Sequence, residues 1–160
     1  MTRVYVDMVG DLFHYGHMEY LKKARALGDY LLVGIHADAA VAQHKRRPVL
    51  SMDERVLSAS GCRYVDEVIP NAPWVLDRAF IQQHQIDLVV HGDDYSQDQL
   101  NYTHSVAIEM GILRTVPYTR GISTSKLIQR VIAAQRGPSA GRGTSKSQVA
   151  DNLQEHQSAA

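Results

Sequence analysis

The chain has 160 residues, of which 44% are hydrophobic and 21% charged, values that are ordinary for a globular protein of about one domain. Seventeen lysines and arginines balance seventeen aspartates and glutamates, so the formal net charge is zero. A general nucleic-acid binder and a protein held on an anionic membrane are therefore excluded, because both depend on a strong basic field.

Short apolar runs alternate with helical patterns along most of the chain. The runs predict strands at residues 4–9, 30–36, 64–69, 86–91 and 113–117. Helical spacing predicts helices at residues 17–27, from residue 51, near 73–84 and at 123–134, and Ser51 with Glu54 forms a capping-box pattern. The alternation predicts an α/β domain over residues 1–135, a Rossmann-like three-layer sandwich with a parallel sheet and helices on both faces.

The composition changes near Arg136. Residues 136–160 are rich in Gly, Ser, Ala and Gln, with Val149 and Leu153 as the larger apolar side chains. Such a segment cannot bury enough apolar surface to offset the entropy lost on ordering. We therefore predict a disordered C-terminal tail over 136–160.

Cysteine usage and hydropathy bear on the compartment. Cys62 is the single cysteine, so no internal disulfide can form, which favours a reducing compartment. The first residues show no signal-peptide pattern, and no apolar run approaches the ~20 residues that cross a bilayer. A cytoplasmic protein without membrane insertion is expected.

Polar segments follow the predicted strands at residues 10–17, at 36–38 and 44–47, at 91–94 and at 118–125. The carboxyl ends of parallel strands share one edge of the sheet, and ligands bind there at the topological switch point. We therefore expect these loops to converge on one site.

The first loop carries two histidines at the entrance to a predicted helix. It contains neither the G-x-G-x-x-G dinucleotide pattern nor a P-loop. His14 and His17 flank Gly16, and a helix N-terminus attracts phosphate, so both imidazoles could donate hydrogen bonds to phosphoryl oxygens. Two other interpretations stay open: a loop residue with a helix cap, or metal ligands completed by a later acidic residue or histidine.

Several segments resemble one protein family. The segment DLFHYGH at residues 11–17 resembles the H-x-G-H signature of the nucleotidylyltransferase superfamily. The segment RGISTS at residues 120–125 resembles the G-I-S-T-[ST] signature of its cytidylyltransferase branch. Segments 26–34, 63–70 and 91–94 are also similar to that branch, most of all to its CTP:phosphoethanolamine and CTP:glycerol-3-phosphate enzymes.

This resemblance implies transfer of CMP from CTP to a small phosphorylated alcohol, such as phosphoethanolamine, with release of pyrophosphate. A phosphate monoester is mostly dianionic at neutral pH, since its second pKa is about 6, and needs little general-base help. The chemistry needs donors and cations that hold two polyanions together. Mg²⁺ is expected to arrive with CTP, and a homodimer with residues 63–68 near its interface is implied.

The resemblance also assigns roles, residue by residue. Catalysis falls to His14, His17, Lys45 and Arg120. Nucleotide binding falls to Val9, Gly10, Asp11, Gly16, His91, Asp94, Gly121, Ile122, Ser123 and Thr124. Acceptor binding falls to Lys45, Arg55 and Trp74, and no residue is assigned to a metal.

Ordinary structural roles stand beside some of these assignments. Lys45 opens a Lys-Arg-Arg run typical of a solvated surface, and Arg55 could form an ion pair along its helix. Trp74 could be a core residue, and Ser123 or Thr124 could cap the last helix while also binding phosphate.

The sequence departs from the family pattern in two places. Met8 stands where the family has a glycine, and Gly10 lies two positions later. Tyr118 stands where the family has an arginine that meets the β- and γ-phosphates, so Arg120, or else Arg114, would supply that charge. These departures suggest that the protein belongs to a subgroup of the family with its own acceptor substrate, such as the phosphonates 2-hydroxyethylphosphonate or 2-aminoethylphosphonate.

Three competing functions stay open at this stage. An adenylyltransferase of the same superfamily would share the H-x-G-H motif. A non-catalytic nucleotide sensor would bind CTP without turnover, although both signature motifs are intact. A metal hydrolase would purify with stoichiometric zinc.

Overall fold

The computed structural model describes residues 1–136, and the predicted tail, apart from Arg136, lies outside them. In chain order the elements are β1 (Arg3–Met8), α1 (Tyr15–Arg25), β2 (Tyr30–His36), α2 (Asp38–His44), α3 (Met52–Ser60), β3 (Glu67–Ala72), α4 (Arg78–Gln83), β4 (Leu88–Gly92), α5 (Gln97–Thr103), α6 (Ser105–Glu109), β5 (Leu113–Val116) and α7 (Thr124–Gln135). The chain divides into two units, Met1–Ile128 and Gln129–Ala160. The described part of the second unit, residues 129–136, is the latter half of α7 and its end.

The first unit is built on one parallel sheet with the strand order β3-β2-β1-β4-β5. The chain moves outward from β1 through β2 to β3, then returns to the other side of β1 for β4. The direction of winding therefore reverses between β1 and β4, and a crevice forms at their carboxyl ends.

Hydrophobic clusters cover both faces of the sheet. On one face, Val4 and Val6 of β1 pack with Leu21 of α1 and Ala59 of α3. On the other face, a second cluster joins β1 and β4 to α4 and α6, through Tyr5, Val89, Ile81 and Ala107. Alternate residues of a strand point to opposite faces, so β1 contributes to both layers. The predicted α/β sandwich with helices on both faces is confirmed.

Some boundaries differ from the prediction. Strand β3 begins at Glu67 rather than at residue 64, because residues 62–65 form a turn in which the backbone N–H of Val65 donates to the carbonyl of Cys62 at 3.0 Å. The capping box of Ser51 and Glu54 forms as predicted at the start of α3. Helices α2, α5 and α6 were not predicted, and each has at most seven residues. Among the described residues, no helix is long and apolar enough to cross a membrane.

Candidate active site

A cleft of about 460 Å³ lies at the carboxyl ends of β1 and β4, where the winding of the sheet reverses. The first loop, the segment after α2, the β4 loop and the start of α7 all reach it. Of the residues assigned from the sequence, it is lined by Val9, Gly10, Asp11, His14, Gly16, His17, Lys45, Trp74, His91, Asp94, Ile122, Ser123 and Thr124. The polar loops thus converge on one edge of the sheet, as predicted.

His14 and His17 face each other at the start of α1, with ring centroids 4.0 Å apart. His14 is the N-cap residue, and its Nδ1 accepts the backbone N–H of Gly16 at 3.1 Å. Nδ1 of His17 accepts the backbone N–H of His14 at 3.2 Å. A backbone N–H can only donate, so both rings carry their proton on Nε2. Each ring therefore caps the helix with one nitrogen and presents an N–H donor with the other.

Burial keeps both imidazoles neutral. It lowers the pKa of His14 from its ordinary value, and burial together with the neighbouring His14 lowers the pKa of His17 to about 4. Desolvation disfavours the charged form of histidine. At neutral pH the pair is thus a pair of neutral hydrogen-bond donors rather than two fixed positive charges.

Two glycines shape this loop. A Cβ on Gly16 would lie 2.9 Å from the His14 ring and 2.9 Å from the Ile122 side chain, so the absence of a side chain lets the ring lie over the helix start. Gly10 has a φ of 70°, in the left-handed region that favours glycine. Gly10 therefore provides the tight turn after β1, two positions beyond Met8, where the resemblance led us to expect a glycine.

Lys45 follows α2 and extends over aromatic rings at the cleft. Its Nζ lies 5.7 Å from the ring centroid of Trp74 and 5.6 Å from that of Tyr95. The ring of His44 stacks on that of Trp74, with the two centroids 4.4 Å apart. Trp74 therefore lines the cleft and is not a core residue, and the cation–aromatic contacts hold the ammonium of Lys45 at the site.

Asp11 lines the cleft but its carboxylate is committed to the protein. It is 3% exposed and accepts the backbone N–H groups of Val49 and Leu50, together with the guanidinium of Arg46 at 2.9 Å. Burial would raise its pKa, but these hydrogen bonds and the charge of Arg46 outweigh burial and lower it. Asp11 therefore holds the segment that carries Lys45, a role the sequence did not suggest.

Arg55 does not line the cleft, although the resemblance assigned it to the acceptor. Its side chain is fully buried. It donates to the carbonyl of Val9 at 2.6 Å, to the carbonyl of His36 at 3.0 Å and to the carboxylate of Asp38. It thereby ties the ends of β1 and β2 to the start of α2, beneath the cleft wall.

The loop before α7, residues 118–125, brings less positive charge to the cleft than the sequence predicted. Arg120 is exposed and does not line the cleft, and Gly121, with a φ of 95°, lies outside the lining too. Ser123 caps α7 by accepting the N–H of Lys126, while the hydroxyl of Thr124 donates to the carbonyl of Asp11 at 2.9 Å. Arg114, the other arginine considered for this charge, is held by carbonyls at the start of β5.

The floor of the cleft contains residues that the sequence analysis did not assign. Asp7 of β1 is buried, and Oδ2 accepts a hydrogen bond from Nε2 of His104 at 3.0 Å. Burial would raise the pKa of Asp7, but the bond from His104 and the fields of His104, His36 and His91 lower it to about 2. The sequence did carry one signal for Asp7, which is a charged residue inside the apolar run of β1. A buried charge requires partners, so its position indicated a polar cluster near the end of this strand.

The cleft is lined by cationic side chains and imidazoles rather than by a set of side chains that could enclose a metal ion. Arg46, which belongs to the Lys-Arg-Arg run, lines it beside Lys45. Within residues 1–136, no group of three or more His, Cys, Asp or Glu side chains is placed to hold a metal ion. The metal-ligand interpretation of His14 and His17 requires such a third ligand.

The parallel sheet and the cleft at its switch point define an α/β protein of the Rossmann-like class, whose ligands bind at the carboxyl ends of the strands. The sequence signature described as Cytidylyltransferase-like matches residues 10–130. The chain belongs to this family.

Curated relatives narrow the comparison. The chain is 46% identical over 137 residues to an ethanolamine-phosphate cytidylyltransferase of Arabidopsis thaliana, covering 81% of this chain and 32% of the relative. It is 39% identical over 138 residues to a probable ethanolamine-phosphate cytidylyltransferase of Encephalitozoon cuniculi, covering 86% and 43%. It is 40% identical over 134 residues to the choline-phosphate cytidylyltransferase A of Homo sapiens, covering 82% and 36%. The chain spans less than half the length of each.

Solved structures share the fold. The lipopolysaccharide core biosynthesis protein of Thermoplasma volcanium matches with a TM-score of 0.62 and 25% sequence identity, covering 76% of this chain and 99% of that chain. Pantothenate synthetase of Thermus thermophilus matches with a TM-score of 0.50 and 15% identity, covering 86% and 71%, and supports the fold alone.

Proposed function

We propose that this chain transfers CMP from CTP to phosphoethanolamine or a closely similar phosphoalcohol, with release of pyrophosphate. The observation that carries the proposal is the pair of Nε2–H donors on His14 and His17, presented in the cleft of a cytidylyltransferase-like chain. The relatives named ethanolamine-phosphate cytidylyltransferases support the choice of acceptor.

In the proposed reaction, a phosphate oxygen of the acceptor attacks the α-phosphorus of CTP. A new P–O bond forms there, and the bond to the β-phosphate breaks with release of pyrophosphate. The acceptor is already mostly dianionic, so the protein needs no nucleophile or strong base of its own. Its task is to hold the two polyanions in line and to stabilise developing charge.

The residues of the cleft suit that task. His14 and His17 donate from Nε2 to phosphoryl oxygens, and preorganised donors of this kind stabilise a transition state strongly. Lys45 supplies positive charge between the nucleotide and the acceptor. Both imidazoles are neutral in the free protein, so they act on the phosphoryl oxygens as Nε2–H hydrogen-bond donors, and the positive charge comes from Lys45.

The cleft floor suits an amino group. Asp7 is an ionised carboxylate that lines the cleft beside Trp74 and Tyr95. A carboxylate attracts an ammonium, and aromatic faces attract cations as well. The proposed acceptor therefore lies with its phosphate toward Lys45 and its ammonium toward Asp7.

We propose that Mg²⁺ enters with CTP. The described residues include no cluster able to enclose the ion, and the cleft is lined by imidazoles and cations, which fits an ion held mainly by phosphate oxygens. When bound, Mg²⁺ neutralises part of the triphosphate charge. Asp94 is the cleft carboxylate for which no protein partner is seen within the described residues, and it is the residue best placed to assist.

The test is a panel of nucleotides and acceptors with pyrophosphate detection. CTP and ATP are each combined with Mg²⁺ and with phosphoethanolamine, glycerol 3-phosphate, 2-hydroxyethylphosphonate or 2-aminoethylphosphonate. We expect release with CTP and phosphoethanolamine. Release with ATP alone would replace the proposal by an adenylyltransferase, preference for a phosphonate would replace the acceptor, and CTP binding without turnover would indicate a sensor.

We also propose that the protein is a homodimer that packs through residues 63–68. This segment leads into β3, which is an edge strand of the sheet. Sedimentation equilibrium measures the assembly directly, and a monomer at micromolar concentration would contradict this proposal.

A further inference from the structure

The two oxygens of Asp7 have different surroundings. Oδ2 accepts the hydrogen bond from Nε2 of His104, a residue that is 2% exposed and lies outside the cleft lining. Nδ1 of His104 lies 2.7 Å from the hydroxyl of Thr103. Whichever of these two atoms holds the proton between them, Nε2 carries a hydrogen, because an ionised carboxylate only accepts. Oδ2 therefore accepts its hydrogen bond from the protein, on the side away from the cleft, and Oδ1 remains available to a ligand in the cleft.

His36 faces Oδ1 across a short gap. Its Nδ1 lies 3.2 Å from the carbonyl of Ala72, which can only accept, so Nδ1 holds the ring proton. Its Nε2 lies 3.8 Å from Oδ1 of Asp7, beyond hydrogen-bond distance. Burial lowers the pKa of His36, so the neutral ring, with a lone pair on Nε2, is the form at neutral pH.

Two acceptors thus converge on the cleft floor. Both His36 and Asp7 line the cleft, and in the part of the chain that the structure describes no donor lies within hydrogen-bond distance of Nε2 or Oδ1. The Trp74 ring, 4.8 Å from the ring of His36, forms the adjacent wall. This place therefore calls for a ligand group that is cationic and carries several hydrogens.

We propose that His36 is a specificity-determining residue, which together with Asp7 forms a two-acceptor site for a primary ammonium group. The inference rests on the proposed function and deepens it. A primary ammonium has three N–H donors and can satisfy both acceptors at once. A trimethylammonium has none, and a hydroxyl has one donor and no charge.

The choice of substitutions separates the Nε2 acceptor from the rest of the ring. In His36→Asn the amide nitrogen can still donate to Ala72, as Nδ1 does, but nothing replaces Nε2. In His36→Gln the longer side chain can place an amide oxygen where Nε2 accepts. His84→Asn makes the same chemical change at the end of α4, outside the cleft lining, and is the matched control.

The experiment measures kcat and KM with CTP for phosphoethanolamine, its mono-, di- and trimethylated forms, and ethylene glycol phosphate. We expect kcat/KM of the unmodified protein to fall as methyl groups are added. His36→Asn should raise the KM for phosphoethanolamine by tenfold to a hundredfold, on the order of one hydrogen bond to a charged group, with the KM for CTP unchanged. His36→Gln should recover most of this loss, and His84→Asn should show none.

Two results would overturn the inference: equal use of the primary and trimethylated acceptors, or a His36→Asn effect that is the same for every acceptor or falls on CTP. Thermal unfolding of each variant shows whether it folds. Calorimetric binding of the acceptors gives a readout that needs no turnover. If turnover is absent but His36→Asn weakens the binding of phosphoethanolamine, the proposed function fails and the ammonium site is supported. If phosphoethanolamine binds the parent and His36→Asn equally well, the ammonium site is wrong.

Discussion

Nδ1 of His17 accepts the backbone N–H of His14 at 3.2 Å, which fixes the His17 ring with its Nε2–H free. A second bond, from the backbone N–H of Gly16 to Nδ1 of His14 at 3.1 Å, fixes the other ring. One pair of residues thus caps the helix and supplies two aimed donors. The capping role and the donor role that the sequence left as alternatives are therefore compatible in the same side chains.

The double role of His14 can be separated by substitution. An asparagine at this N-cap can still accept the N–H of Gly16, but it lacks Nε2–H. We expect His14→Asn to lower kcat by about 10²–10³-fold, the usual cost of losing one preorganised donor, with the free energy of unfolding nearly unchanged. His14→Ala should lower kcat equally and cost about 1 kcal/mol more in stability. Full activity in His14→Asn would show that the ring acts only as a cap.

The lowered pKa of His17 predicts how stability depends on pH. With a folded pKa of about 4 and an ordinary value of 6.5, the unfolded chain binds more protons between these values. Stability is therefore full above pH 6.5 and falls as the pH drops toward 4, by about 3 kcal/mol from this residue. Asp7, with its pKa lowered from 3.8 to about 2, loses its contribution only below this window.

Urea unfolding at a series of pH values from neutral down to about 4 checks this dependence. The pKa values of His14 and His36 are lowered as well and act in the same direction, so the His17→Asn variant is compared with the parent at each pH. The variant should lose less stability between pH 6.5 and 4. Parallel curves would mean that His17 titrates normally in the folded protein.

Substitution of Arg55 should lower the stability of the fold, because this buried side chain contacts the protein and does not line the cleft. Arg55→Met would leave the carbonyls of Val9 and His36 without their buried donor, at about 3 kcal/mol in free energy of unfolding. Arg130→Met, at an exposed arginine of α7 outside the cleft lining and the proposed dimer segment, should change stability by no more than about 0.5 kcal/mol. Chemical denaturation measures both. If Arg55→Met were as stable as the parent while its acceptor KM rose, the assignment of Arg55 to the acceptor would be favoured.

The fold was largely predictable because its signals are local. The continuous apolar run of β2 and the capping box at Ser51 both lie within a few residues. Helix α2 was missed because it has seven residues, one buried side chain, Val41, and no side-chain cap, so neither periodicity nor a start signal is present. Short helices are positioned by tertiary contacts rather than by their own pattern.

The site was predictable only in part. His14 and His17 stand out because they lie three residues apart. The contact between Asp7 and His104 joins residues separated by 97 positions, and the contact between Asp11 and Leu50 joins residues separated by 39. No local pattern specifies such pairs, so the sequence alone assigns Asp11 to the nucleotide although its carboxylate is held by the protein.

We expect the effect of Asp11 on activity to depend on Lys45, because the Asp11 carboxylate anchors the segment that follows this lysine. Asp11→Asn removes the charge that holds Arg46 and weakens the anchoring of Val49 and Leu50, so the segment carrying Lys45 loosens. We expect kcat/KM to fall at least about tenfold and the free energy of unfolding to fall by about 2 kcal/mol. A double-mutant cycle with Lys45→Ala checks the route. If Asp11 acts through Lys45, the double variant is no slower than Lys45→Ala; multiplied losses would assign Asp11 a separate role.

Gly16 predicts a loss of activity with a purely steric cause. In Gly16→Ala the new Cβ would lie 2.9 Å from the His14 ring and 2.9 Å from Ile122, so the ring must move off the helix start and its Nε2–H with it. A misplacement of about 1 Å at a reacting group can cost about 10²-fold, and we expect kcat to fall by that order. Gly61→Ala is the matched control, because the nearest atoms to its Cβ are 3.7 Å away and its φ of −74° suits alanine. Steady-state kinetics and thermal unfolding of both variants separate the two effects: Gly61→Ala should match the parent in each, whereas unchanged kcat in Gly16→Ala would show that the ring position tolerates the shift.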